Sequence, residues 1–84
     1  MTEIMSRHAT KQFPDGTLLI AVYALHDDGT VTRQITSANG VPQVNKPTPF
    51  RQLDEDERRI NCADGVSAYG FLLGAIRADG WTEA

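Results

Sequence analysis

Residues 18–36 read LLIAVYALHDDGTVTRQIT, and this stretch decides the fold. In its first eight residues Leu18, Ile20, Val22 and Ala24 alternate with Leu19, Ala21, Tyr23 and Leu25, so both faces of an extended chain are apolar. A strand of that kind is paired along both edges and covered over most of both faces. The Asp28-Gly29 dipeptide that follows is a turn signal, because glycine accepts the positive φ that tight turns require. Beyond the turn, Val31 and Ile35 share a face with Arg33 and Ser37, opposite Thr30, Thr32, Gln34 and Thr36. The stretch is a β-hairpin.

The same punctuation recurs on either side. FPDGT (13–17) links the central strand to an earlier one, and SANGV (37–41) ends the third. The run 41–45 contains Pro42, so a strand there belongs at a sheet edge. Residues 46–53 begin KPTPF and form an extended connector, since residues before proline avoid the helical region. The expectation is an antiparallel meander of three or four strands within about 4–45.

Residues 53–59, LDEDERR, open the other half of the fold. Asp54 is placed as an N-cap with Glu57 three residues on, the capping-box pattern. Glu55 and Asp56 then fall in a first helical turn, where carboxylates favour the positive end of the helix dipole. At the far end Arg77 precedes Gly80 at C′, and Trp81 is placed to fold back on Ile76 in a Schellman motif. These signals delimit one helix over 54–79, with Asp64-Gly65 as its weak point. Cys62, Val66, Tyr69, Leu73 and Ile76 form the stripe expected to lie on the sheet. The fold class is α+β: a meander followed by one helix, in a single domain over 1–84.

A second helical stripe consists of small residues, Ala63, Ser67, Gly70 and Gly74, with Ile60 and Phe71 at its rim. Such a groove permits close approach of another backbone. The plainer reading seats it on the protein's own sheet or on the 46–50 connector, and the sharper one makes it a partner or self-association surface. The acidic run Asp54, Glu55, Asp56 and Glu57 is mainly the grammar of a helix start. Four consecutive helical carboxylates point around the axis and do not converge on a cation. They remain able to attract a basic protein surface.

The remaining features narrow the class of function. The 84 residues carry a net charge of −3, with the excess acid in the C-terminal part, where residues 52–84 hold seven carboxylates against three arginines. A basic stripe for nucleic acid is missing. The single Cys62 cannot form an internal disulfide and reads as packing. His26, Asp27 and Asp28 are explained by turn chemistry better than by metal ligation. No nucleophile elbow, glycine-rich phosphate loop or paired metal motif occurs. With no apolar leader segment and no membrane-length run, the expected location is cytoplasmic. The expectation is a protein without cofactor or catalysis that binds another protein, or a second copy of itself, using Asp54, Glu55, Asp56, Glu57, Ser67, Gly70, Phe71 and Gly74. A structural subunit of a larger assembly is the alternative, with a small enzyme or nucleic-acid binder third.

Overall fold

The computed structural model describes residues 2–84 as an antiparallel sheet of six strands with two helices, an α+β fold. The meander runs through β1 (Glu3–Gln12), β2 (Leu18–His26), β3 (Thr30–Ala38) and β4 (Val41–Pro42). β5 (Thr48–Gln52) precedes α1 (Glu55–Asn61) and α2 (Gly65–Ala78), and β6 (Thr82–Glu83) closes the chain. The strand order is β4-β3-β2-β1-β6, with β5 also on the outer edge of β3.

The hairpin at 18–36 forms as read, with Tyr23 opposite Arg33 and Leu25 opposite Val31. Asn39 (φ 51°) and Gly40 (φ 80°) together make the positive-φ pair that matches the twist of a hairpin, and the Asn39 side chain accepts from the Leu18 amide. Val41–Pro42 is an edge strand, as proline demands.

Two elements lie outside the expected meander. The connector 46–53 is not merely extended, because Thr48–Gln52 pairs with Thr30–Arg33 as β5. Pro49 is tolerated there because β5 is an edge and the register shifts beside it. Between β4 and β5, the Asn45 side-chain amide donates to the Ile35 carbonyl and so stands in for a missing ladder bond. β6 adds a short strand to the other edge, against Ala9 and Thr10.

The single helix expected over 54–79 is two helices. Asp64 takes an extended conformation (φ −151°, ψ 168°) and its carboxylate accepts from the Ser67 amide, so it caps a new helix instead of continuing the old one. An aspartate before a glycine offers the backbone that alternative at little conformational cost. Asp54 and Glu57 form the reciprocal capping box on α1. Asp54→Ala is expected to lower stability by about 0.5–2 kcal/mol. Glu55→Ala and Asp56→Ala should each cost less, having only dipole and exposed-pair contributions to lose. Urea denaturation of the three variants measures the order, and three equal small losses would remove the cap from the account.

Restarting the helix also changes which side is buried. Ala68, Leu72, Ala75 and Ile76 are buried, whereas Val66 of the expected stripe is 85% exposed. Ile76 alone of that stripe is fully buried; Cys62, Tyr69 and Leu73 are half-buried. The core joins α2 to Ala9, Ala21, Tyr23, Leu25 and Val31, with Leu53 and Trp81 closing its ends. The Schellman motif forms as read: Gly80 has φ +82°, its amide donates to the Arg77 carbonyl, and the Trp81 amide donates to the Ile76 carbonyl.

α2 lies on the face of β2 that presents Ala21, Tyr23 and Leu25, and α1, which buries no residue, packs against α2. On the alternate face, where no helix packs, Leu18 is 40% exposed and Ile20 and Val22 are half-buried, and only Ala24 is buried as the alternation requires. Among the described residues no helix is long and apolar enough to cross a membrane.

Candidate functional site

The acidic run is largely used within the chain. Asp54 caps α1, Glu57 completes the capping box and accepts from Arg51 at 3.1 Å, and Asp56 accepts from Arg59 at 2.7 Å. Glu55 has no ion pair or hydrogen bond among the described residues and is exposed. The turn aspartates are likewise occupied: the Asp28 carboxylate accepts from the Thr30 amide and the Asp27 carboxylate from the Thr2 amide.

The small-residue stripe does not lie on the sheet or on the connector. Gly70 and Gly74 are exposed on the outer side of α2, and a methyl group placed at either would meet no atom within 4 Å. Ala63 precedes the helix and is exposed, Ser67 is half-buried, and Ile60 projects from α1 at 63% exposure. Phe71, expected at the rim of the groove, instead packs against the core, under the Arg51 guanidinium 4.9 Å from its ring centre. The outer face of α2 is therefore Gly65, Val66, Gly70, Gly74, Arg77 and Ala78, with Arg77 its one charge. A surface helix ordinarily turns a polar, charged face to water.

At the C-terminal end of α2 the fold assembles a polar cluster. Asp79 accepts from the Tyr23 hydroxyl at 2.5 Å and from Arg33 at 2.6 Å on the same oxygen. Arg33 also lies within about 6 Å of the rings of Phe50 and Trp81, and Tyr23 meets both rings edge-on. Open concavities flank the cluster, one of about 180 Å³ beside Phe50, Ala75 and Asp79, the other of about 340 Å³ beside Arg33, Asn45 and Lys46. The sequence carried one sign of this cluster: Arg33 shares an alternating face with Val31 and Ile35, where a charge requires a partner. That partner comes from a helix end 46 residues away.

Burial, and then the hydrogen bond to Asp79, hold the Tyr23 hydroxyl well above the ordinary tyrosine range. A phenol with a raised folded pKa ionises more readily in the unfolded chain. Its contribution to stability is whole below the unfolded value of about 10 and is lost as pH climbs from there through the folded pKa. Melting temperature should fall more steeply above pH of about 10 in the wild type than in Tyr23→Phe, which has no proton to lose. Equal slopes for the two proteins would show that other groups govern alkaline unfolding. Cys62, by contrast, is a half-buried thiol raised by burial, a setting for packing and not for a nucleophile.

Comparison with protein-family models, curated proteins and solved structures finds no match to this chain.

Proposed function

We propose that the protein is a non-enzymatic interaction module, a small regulator, inhibitor or accessory subunit that occupies the surface of another protein with the outer face of α2. The observation that carries this reading is the pair Gly70 and Gly74, exposed in mid-helix with open space around them. Glycine inside a helix costs about 0.5–1 kcal/mol relative to alanine. Neither position has a positive φ or a close internal neighbour to offset that cost. A partner backbone laid close against the helix would offset it, and the nearly uncharged surroundings suit such contact. The polar groups nearest to a catalytic arrangement, Tyr23, Arg33 and Asp79, already satisfy one another, which favours binding over chemistry.

Gly70→Leu and Gly74→Leu test the reading. Both should fold, gaining roughly 0.5 kcal/mol or more from helix propensity. Both should also lose the dominant partner that the wild type retains in a pull-down followed by mass spectrometry. Retention of that partner by both variants would overturn the proposal. The second reading, a structural subunit joined through the sheet, draws on the outer edge of β1, where β6 pairs only with Ala9 and Thr10. It requires polymers that grow with concentration.

A further inference from the structure

The outer lane beside β3 is interrupted. β4 pairs with Ser37 and Ala38 and β5 with residues 30–33, so the ladder stops between them. Side chains bridge the interval instead: Asn45 Nδ2 donates to the Ile35 carbonyl at 3.0 Å, and Gln34 Nε2 donates to the Asn45 carbonyl at 2.7 Å. Where the ladder stops, a concavity of about 340 Å³ opens, lined by Arg33, Ile35, Asn45, Lys46 and Thr48. We propose that this concavity binds a small organic monocarboxylate. The site uses none of the residues of the α2 surface and stands independently of that reading.

The charge balance names the ligand. Two cations line the concavity and no carboxylate does. Asp79 engages Arg33 through Nη1, and Lys46 has no ion pair among the described residues. Two cations against the one carboxylate leave a single positive charge uncompensated, in a chain whose net charge is −3. A monoanion neutralises that charge, whereas a phosphate dianion would bring an excess negative charge beside Asp79.

The remaining Arg33 donors form a planar fork of the kind that matches a carboxylate. Thr48 stands opposite Arg33 across the strands and adds a hydroxyl able to donate. Asp79, itself held by the Tyr23 hydroxyl, fixes the guanidinium before any ligand arrives, which lowers the ordering cost of binding. Ile35 supplies an apolar wall, so the acid that fits carries a small hydrocarbon body. Sites for small molecules begin at about 300 Å³, and this concavity is near that lower end.

Amide chemical shifts of the full chain, titrated with benzoate at constant ionic strength, test this. Benzoate should give saturable shifts centred on Arg33, Ile35, Asn45, Lys46 and Thr48. Acetate, which lacks the apolar body, and inorganic phosphate should each bind more weakly, and neutral benzamide not at all. Lys46→Gln should weaken benzoate binding by about 10-fold or more, through loss of a charge-assisted hydrogen bond. Its circular dichroism should match the wild type, since Lys46 is exposed. Arg59→Gln on α1 changes the net charge equally and should leave the affinity unchanged. Absence of saturable shifts with benzoate, or equal shifts with benzamide, would overturn the proposal. So would binding of acetate or phosphate as tight as that of benzoate, an affinity indifferent to Lys46→Gln, or equal weakening by Lys46→Gln and Arg59→Gln.

Discussion

Replacing Trp81 with alanine is expected to lower stability by about 3–5 kcal/mol, the range for truncating a buried aromatic residue. Trp81 is 5% exposed, meets Tyr23 edge-on with ring centres 5.9 Å apart, and donates its backbone amide to Ile76 at the helix stop. The loss should exceed the transfer term because three structures converge on that ring. The core loses its end plug, Arg33 loses one of two aromatic faces, and β6 loses the anchor that immediately precedes it. A domain of this size has a margin of about 5–15 kcal/mol in all. Urea denaturation should therefore place the midpoint of Trp81→Ala far below the wild type, with Trp81→Phe between them. A loss under about 1 kcal/mol would mean that Trp81 is not part of the core.

Gly29→Ala is expected to cost about 2–4 kcal/mol, combining left-handed strain with overpacking. Gly29 has φ +86°, where a side chain is strained whatever its surroundings. A methyl group there would also stand 3.2 Å from the Gln52 side-chain Nε2 and 3.3 Å from Leu53 Cβ, tighter than ordinary contact. The neighbours have little freedom to retreat, because Gln52 donates to the Asp28 carbonyl and the Leu53 amide donates to the Gly29 carbonyl. Gly16 supplies the control, with a similar φ of +92° and open space around it. Gly16→Ala should cost only the strain, about 1–2 kcal/mol. Equal losses at the two positions would show that crowding at Gly29 is relieved at no cost.

The contrast between those two glycines marks how far local reading reaches. Both were legible as turns, but only the packing of 52–53 against one of them distinguishes their roles. The same limit applies to β5. Two prolines in 46–50 argued for a connector, and the unpaired outer edge of β3 recruited the segment nonetheless. Asp64-Gly65 was recognisable as a weak point, yet periodicity running past it favoured one helix. Moving the buried side from Val66 to Ala68 and Leu72 followed from the new N-cap. The small-residue stripe was visible in full, but which way it pointed depended on that restart.

By itself the sequence determined the elements whose causes are local: the hairpin at 18–36, its neighbouring turns, the capping box at Asp54, the Schellman stop at Gly80 and the α+β class. Turn dihedrals, caps and alternation arise within a few residues, so their signals survive without knowledge of the rest of the chain. Only the tertiary structure decided the union of Tyr23, Arg33 and Asp79, the strands at 48–52 and 82–83, and the helix-free second face of β2. Each of these depends on which edges and faces remain unpaired once the first elements have packed, and that is a property of the whole assembly of elements, with no counterpart in any short stretch of residues.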